Sequence, residues 1–349
     1  MTEKIPLNRR SFVAAGALTL LTGCTGDSSS GEGGTAEPTS EATTQTESAT
    51  TDSTQTFDES SDNEASTSQS VSVTLGEAVE GENLTMVARS VSTTDKLGEF
   101  QEAQSGNEFV VVRLAVKNIS EKFIDFSSFW QTRLKDGENH VYDASFGVTT
   151  HPFDSGTLAP GEVSRGDVVY EVPKDVGELT MQFDFSAFDL FKFKRVTVNL
   201  SDEAESIANL SQKLNTKILS TGESASNGGV SVVVHGVRTE SKLGEYTEAE
   251  DGREYVIPDV EITNGTEEPL TVSTMLQMRV KTGTGLSSTA DLAGSSSLSR
   301  GYNEGSDIAP DESRRGELAF QVEEDASSLY FVFDFLDIAD AYKVFWELR

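Results

Sequence analysis

Apolar residues alternate with polar residues along short stretches from about residue 71 to the end of the chain. The clearest stretch places an apolar side chain at every second position, at Val110, Val112, Leu114 and Val116. A period of two is typical of a β-strand with one buried face. Further candidate strands are 84–91, 129–135, 179–185 and 194–200. Because Gly, Asn, Asp and Pro separate these stretches, the pattern predicts an all-β fold of the β-sandwich type.

The strand pattern occurs twice. Three pairs of segments correspond in order: Lys96-Leu97-Gly98-Glu99-Phe100 with Lys242-Leu243-Gly244-Glu245-Tyr246, Leu158-Ala159-Pro160-Gly161-Glu162 with Ile308-Ala309-Pro310-Asp311-Glu312, and Phe183-Asp184-Phe185 with Phe333-Asp334-Phe335. A repeat of this length predicts two copies of one domain, at 71–200 and 217–349. Pro258 lacks a backbone N–H, so its strand in the second copy is predicted to be an edge strand or to carry a bulge.

The segment 201–216 between the copies has a different pattern. Asp202 and Glu205 have the spacing of an N-cap and its third helical residue. Ile207, Leu210 and Leu214 would then share one helical face. This spacing predicts a short helix or a helical linker.

Residues 1–23 have the three-part pattern of a signal peptide, with a basic start, an apolar run and small residues. Within 8–13, the residues Arg9, Arg10 and Phe12 resemble a twin-arginine export signal. Leu21, Thr22 and Gly23 before Cys24 resemble a lipobox, which implies cleavage before Cys24 and a lipid on its sulfur. The alternatives are an ordinary cleaved signal with an incidental cysteine and an uncleaved anchor.

Residues 24–70 begin at Cys24 and continue as a stretch rich in Ser, Thr and Glu, in which Phe57 is the only large apolar residue. A segment of this composition cannot bury enough apolar surface to fold. We therefore expect a disordered stalk that holds the folded domains away from the membrane.

Residues 106–118 resemble the signature strand of the telokin-like family, which is similar to immunoprotective extracellular proteins. Residues 158–162, followed by Gly166 and 168–173, resemble its second conserved segment. The resemblance covers most of the first copy and is weaker in the second, where Pro258 and the loop 282–306 depart from it. It implies two tandem immunoglobulin-like sandwiches on an exported lipoprotein, and the family has no established enzymatic activity.

The formal charge of the chain is −31, from 58 acidic and 27 basic residues. A charge of this sign repels nucleic acid and anionic membrane surfaces, so we expect no nucleic-acid partner. It also destabilises a compact fold unless salt screens the repulsion. We therefore expect a salt-adapted, halophilic protein; the alternative is a mildly acidic secreted protein with an acidic tail.

The chain has few residues that could perform chemistry. His140, His151 and His235 are isolated in the sequence, and no nucleophile elbow or phosphate-binding loop is present. We expect no enzymatic activity and no cofactor. One weak candidate for a calcium site is formed by Asp334, Asp337 and Asp340, and the alternative there is a solvated acidic turn.

The repeated Lys-Leu-Gly-Glu block predicts a pair of binding loops formed by Lys96, Leu97, Glu99 and Phe100 and by Lys242, Leu243, Glu245 and Tyr246. The alternative is structural, with the leucine and the aromatic residue closing one end of each sandwich. The chain also contains candidate glycosylation sites at Asn83, Asn118, Asn199, Asn209 and Asn264. Asn118 and Asn264 could equally serve only as turn residues.

Together these features predict a non-catalytic lipoprotein anchored through Cys24 on the outer face of the cytoplasmic membrane. Its predicted role is to bind an envelope protein, a glycan or a small ligand, or to organise the envelope. The alternative is an accessory solute-capture or sensing protein for a membrane partner. A pocket between the copies with converging polar groups would favour solute capture, and flat exposed strands would favour protein contact.

Overall fold

The structure, a computed structural model, describes residues 70–185, 195–336 and 342–349. The predicted export signal, Cys24 and the predicted stalk up to residue 69 lie outside the described residues, as do Asp337 and Asp340.

The chain forms strands in each copy, and most of the elements recur in the same order. The first copy contains β1 (Ser70–Leu75), β2 (Val79–Glu80), β3 (Leu84–Thr94), β4 (Lys96–Leu97), β5 (Gln101–Glu102), β6 (Asn107–Asn118), β7 (Ile124–Phe126), α1 (Ser128–Gln131), β8 (Thr132–Lys135), β9 (Val141–Asp143), β10 (Gly156–Leu158), β11 (Val163–Pro173), β12 (Thr180–Asp184) and β13 (Arg195–Glu203). The second contains β14 (Ile218–Leu219), β15 (Ser224–Asn227), β16 (Val230–Glu240), β17 (Lys242–Leu243), β18 (Thr247–Glu248), β19 (Arg253–Asn264), α2 (Thr274–Gln277), β20 (Met278–Thr282), β21 (Ser287–Ser288), α3 (Leu292–Ser296), β22 (Ser313–Glu317), β23 (Phe320–Glu323), β24 (Leu329–Asp334) and β25 (Lys343–Glu347).

Each copy is a sandwich of two main sheets. In the first copy the strand orders are β1-β13-β12-β8-β9 and β11-β6-β3-β2, and in the second they are β14-β25-β24-β20-β21 and β15-β16-β19-β22. The first strand of each copy lies parallel to its last strand, whereas the other pairings within these sheets are antiparallel. The prediction of two tandem immunoglobulin-like β-sandwiches is therefore confirmed.

Each sandwich has its own apolar core between its sheets. Val112 of β6 and Phe183 of β12 belong to one buried cluster, and Val260 of β19 and Phe333 of β24 belong to a second. Along each of these strands, every second side chain points into the core, as the alternating pattern predicts. Burial of such side chains stabilises each domain by about 1.5–3 kcal/mol per large apolar residue.

Pro258 lies inside β19, which pairs with β16 on one side and with β22 and β23 on the other. The prediction of an edge strand is therefore wrong. The irregularities lie on the neighbouring strands. β16 has a register shift between Val234 and Gly236, as a bulge would give, and on the other side β22 ends opposite Asp259 and β23 begins opposite Val256. The equivalent β11 of the first copy is continuous. Because proline donates no backbone hydrogen bond, the ladder is interrupted at this point.

The prediction of a helix in 201–216 is also wrong. β13 continues to Glu203, and 204–216 contains no helix. Backbone groups of this segment bond to both sandwiches instead: the Ala208 N–H donates to the Gly76 carbonyl at 2.8 Å, and the Gln212 N–H donates to that of Gly283 at 3.3 Å. A short helix is costly to nucleate, so these tertiary hydrogen bonds prevail over the local pattern.

Candidate ligand-binding site

The outer face of the sheet containing β20, β24 and β25 is covered by the first sandwich. Phe331 and Phe333 point into the core of the second sandwich, and the intervening Val332 therefore points outward, yet it is only 2% exposed. Val332 and Phe345 pack with Ala159 of the first copy, and Leu214 from the linker joins this cluster. Both sandwiches accordingly belong to one compact unit.

A buried ion pair lies beside this apolar contact. Lys281 Nζ of β20 is 2.5 Å from Glu162 Oε1, and the side chains are 1% and 0% exposed. Lys343 Nζ of β25 lies 3.5 Å from the same oxygen. Burial alone would raise the pKa of Glu162, but the two ammonium groups hold it below its ordinary value. The carboxylate of one copy therefore neutralises lysines of the other.

A cavity of about 540 Å³ opens next to the ion pair, at the junction of the two copies. Its apolar wall contains Phe126, Trp130, Leu276, Val332 and Leu336, and its charged residues are Asp125, Asp154, Arg279, Lys281, Asp334 and Lys343. This volume is within the range of pockets that bind small molecules, which typically combine apolar walls with a few polar groups.

Equivalent helical turns from the two copies line the cavity. α1 ends at Gln131 and α2 ends at Gln277, which are the same position in the repeat. Each glutamine Oε1 accepts the backbone N–H at the start of its turn, from Ser127 at 2.8 Å and from Ser273 at 2.9 Å. These bonds fix the side chains, and Trp130 and Leu276 just before them are largely exposed.

Asp334 is a half-buried acidic group of the cavity whose neighbouring lysine is engaged elsewhere. Lys343 lies directly opposite it on β25, but Lys343 turns to Glu162. Asp334 Oδ1 is buried without a hydrogen-bond partner in the described part of the chain. Burial raises the pKa of Asp334 to about 6. In the first copy the equivalent cross-strand pair, Asp184 and Arg195, remains an ion pair at 3.9 Å.

Asp154 from the first copy is held by cations of the second. Its Oδ1 lies 3.5 Å from Arg279 Nε. Burial opposes ionisation, but Arg279, Lys281 and Lys343 together hold the pKa of Asp154 below its ordinary value. The cavity therefore presents fixed charges of both signs.

A family model described as a domain of unknown function, DUF4352, matches residues 73–190 and again residues 219–342. The chain belongs to the DUF4352 family. It carries two DUF4352 domains in tandem, and the candidate site lies where they meet. The narrower resemblance to telokin-like extracellular proteins stays a prediction.

Three solved structures are similar to parts of the chain. An uncharacterised β-sandwich protein of Clostridium difficile 630 is 13% identical with a TM-score of 0.29, covering 38% of this chain and 95% of its own. The secreted protein MPT63 of Mycobacterium tuberculosis is 11% identical with a TM-score of 0.30, covering 38% and 98%. The yjhA protein of Bacillus subtilis is 16% identical with a TM-score of 0.31, covering 36% and 97%. No curated protein sequence matches the chain.

The repeated hairpins of the two DUF4352 domains divide into a buried and an exposed part. Leu97 and Leu243 are buried in small apolar clusters, whereas Phe100 and Tyr246 at the tips are 93% and 89% exposed. The leucines are thus structural, as the alternative holds, but they pack in small clusters separate from the two main cores, and the alternative is wrong for the exposed aromatic residues.

The polar residues of the hairpins remain at the surface. Lys96 pairs with Glu102 at 3.9 Å and Lys242 with Glu248 at 2.5 Å, across the base of each hairpin. Glu99 and Glu245 are exposed. The lysines therefore pair within their own hairpins. The predicted binding loops expose the aromatic residues at their tips to solvent.

Two of the predicted glycosylation sites do not fit a glycan. Asn118 and Asn264 are fully buried. The Asn118 Nδ2 group donates to the carbonyls of Lys122 and Leu158 at 2.7 and 2.9 Å, and Asn264 makes the equivalent pair of bonds. Because both N–H groups are used, the structure assigns these residues to turns. Asn83, Asn199 and Asn209 are more accessible and stay predictions.

Of the weak calcium candidate, Asp334 alone is among the described residues, and the candidate stays a prediction. Asp334 faces the junction cavity and its cations. Across 70–185, 195–336 and 342–349, no three His, Cys, Asp or Glu side chains group as metal ligands. In the same ranges, no helix has the length and apolar character needed to span a bilayer.

The sequence did not reveal the junction site. Glu162 occurs in a repeated segment, and its counterpart Glu312 is exposed. Lys281 and Lys343 look like ordinary strand lysines. The alternating pattern puts Arg279, Lys281 and Asp334 on the outward faces of their strands. No local sequence pattern shows that the first domain covers this face.

Proposed function

We propose that this protein is a non-catalytic, solute-binding lipoprotein of the cell surface that holds a small ligand between its two domains. The cavity at the domain junction carries this proposal, because residues of both copies converge there with charges of both signs. Two domains that share a ligand site can transmit its occupancy to a membrane partner, which suits solute capture or sensing.

The proposed location rests on the sequence. The pattern around Arg9 and Arg10 favours twin-arginine export, and Leu21 to Cys24 favours lipid attachment on the outer face of the cytoplasmic membrane. The polar segment after Cys24 would let the ligand site stand clear of the lipid surface.

A panel of small solutes tests the proposal. Amino-acid amides, amino acids, organic carboxylates and polyols are added to the purified protein, and its melting temperature is recorded. We expect one class to raise the melting temperature by at least about 2 °C, because a ligand that binds only the folded state stabilises it. No shift with any class would overturn the proposal.

A matched pair of variants tests whether a solute that raises the melting temperature binds in the cavity. Leu276 lines the cavity and Leu292 of α3 does not, and both are 66% exposed. Leu276→Trp narrows the cavity and is expected to reduce the shift, whereas Leu292→Trp leaves it unchanged. Equal effects of the two substitutions would place the solute elsewhere.

A second candidate function is contact with an envelope protein through the hairpin tips. The full exposure of Phe100 and Tyr246 in both copies favours it, because large aromatic residues are enriched where proteins bind partners. The double variant Phe100→Ser, Tyr246→Ser is expected to lose cross-links to that partner on intact cells, with the exposed Met275→Ser as control. Unchanged cross-linking would exclude this role.

A further inference from the structure

Gln131 has a buried hydrogen-bond donor that no group of the described chain accepts. The residue is 3% exposed, its Oε1 is occupied by the Ser127 N–H, and its Nε2 has no partner. The equivalent Gln277 donates its Nε2 to the Asp334 carbonyl at 3.3 Å. A buried donor without a partner is destabilising, and Gln131 lines the cavity. The cavity therefore offers a ligand a preorganised donor.

Asp334 supplies the complementary acceptor. Its Oδ1 is buried and unpartnered, and it lines the same cavity. The lysine opposite it, Lys343, is drawn to Glu162 of the other domain. The inter-domain ion pair thus leaves a carboxylate oxygen of a cavity-lining residue without a partner.

The charges around the cavity are not balanced. Carboxylates at Asp125, Asp154, Glu162 and Asp334 face cations at Arg279, Lys281 and Lys343. Arg279 lies against Asp154, and both lysines lie against Glu162. Thr157 Oγ1 donates to Asp125 at 2.6 Å. Asp125 is exposed, whereas Asp334 is half-buried and has a carboxylate oxygen without a hydrogen-bond partner among the described residues, so a ligand with one positive charge would pair with Asp334.

The rest of the cavity favours an apolar ligand body. Trp130, Leu276 and Leu336 stand at its accessible side, each partly exposed. An indole also attracts a cation over its face. A ligand that combines one cationic group with an apolar portion therefore matches both kinds of wall.

Resting on the proposed function, we infer that the solute is a small organic monocation with an apolar body. Its ammonium group binds the Asp334 carboxylate, and an oxygen atom of the solute accepts the hydrogen bond from Gln131 Nε2. This assigns Asp334 and Gln131, one from each domain, as the residues that determine specificity.

Leucinamide is the probe, because it combines an ammonium group, a carbonyl oxygen and an isobutyl group. Each of three analogues changes one group: 4-methylpentanamide lacks the ammonium group, 3-methylbutylamine lacks the carboxamide with its carbonyl oxygen, and leucine carries a carboxylate in place of the carboxamide. Calorimetric titration near pH 7 is expected to give leucinamide an affinity at least about fivefold higher than each analogue. Equal affinities would overturn the inference.

Substitutions at Asp334 and Gln131 test whether these residues cause the preference for leucinamide over its analogues. Asp334→Asn is expected to abolish the preference for leucinamide over 4-methylpentanamide, whereas Asp184→Asn, at the equivalent position of the first domain, leaves it unchanged. Gln131→Glu keeps the acceptor used by Ser127 but removes the donor, so the preference over 3-methylbutylamine should disappear. Preferences that survive both cavity substitutions would overturn the assignment.

The proposed function and this inference fail in different ways. If carboxylates or polyols bind the cavity and leucinamide does not, the ammonium inference is wrong and the solute-binding function stands. If no solute class binds, the function itself is wrong, and the inference fails with it.

Discussion

At the scale of single residues, Glu162 joins the two domains while its repeat counterpart Glu312 remains in solvent. Glu162 is fully buried against Lys281 and Lys343. Its pKa lies below the ordinary 4.5, because the ammonium groups outweigh the effect of burial. The stability that it contributes is therefore present above about pH 4.5 and is lost as the pH falls through the lower folded-state pKa.

Glu162→Gln removes the carboxylate that pairs directly with two buried ammonium groups. Removal of one partner from a buried pair typically costs about 3–5 kcal/mol, so we expect a loss of that order in urea unfolding at neutral pH. Glu312→Gln at the exposed counterpart should change the unfolding free energy by less than about 0.5 kcal/mol. Similar values for the two variants would mean that the pair does not hold the junction.

The pKa shift of Asp334 makes stability depend on pH in the opposite direction. Burial raises its pKa from 3.8 to about 6, so the folded protein holds this proton more tightly and loses stability as the pH rises through that window. Asp334→Asn is expected to stabilise the protein near pH 7 by about 1–2 kcal/mol, a value discounted for partial exposure. Near pH 4 the gain should vanish. Urea unfolding at both pH values measures it, and a gain independent of pH would contradict the assignment.

At the scale of elements, each β4–β5 or β17–β18 hairpin combines a buried leucine with an exposed aromatic tip. Leu97→Ala and Leu243→Ala should each cost about 2–4 kcal/mol, because a large apolar side chain is removed from a packed cluster. Phe100→Ala and Tyr246→Ala should change stability by less than about 0.5 kcal/mol. Thermal unfolding of the four variants measures this, and a large loss at a tip would show that the aromatic residue packs.

The elements also show how far local pattern determines the structure. Alternation at Val110 to Val116 predicts β6 because one face of that strand is buried in its own domain. The stretch 129–135 begins as the helical turn α1, since Ser127 caps it and Gln131 closes it. Segment 204–216 is extended because its hydrogen-bond partners come from distant residues. The cavity depends on how one domain covers the other, and no local pattern encodes that.

At the scale of the whole molecule, the charge of −31 acts against the compact state. Salt at about 1 M reduces the screening length to about 3 Å and weakens repulsion between exposed carboxylates. We therefore expect the melting temperature to rise markedly between about 0.1 and 2 M salt. Salt screens the buried pair of Glu162 and Lys281 much less than it screens exposed charges. The rise in melting temperature with salt should therefore persist in the Glu162→Gln variant. An unchanged melting temperature would contradict salt adaptation.

The proposed lipid anchor is a second property of the whole chain. Cys24 is the only cysteine, and it follows the lipobox-like residues 21–23. Cys24→Ser should release the protein from membranes into the soluble fraction, because no lipid can be attached. Fractionation of cells that express the variant measures this, with Ser28→Ala as a control substitution in the predicted stalk. Continued membrane association would contradict the anchor.

The central claim is that a solute binds between the two domains. Amide chemical-shift mapping with the most stabilising solute of the panel tests it most directly. The claim predicts shifts on both sides of the junction, around Gln131 in one domain and Asp334 in the other. Shifts confined to the hairpin tips at Phe100 and Tyr246, with the junction unaffected, would contradict it.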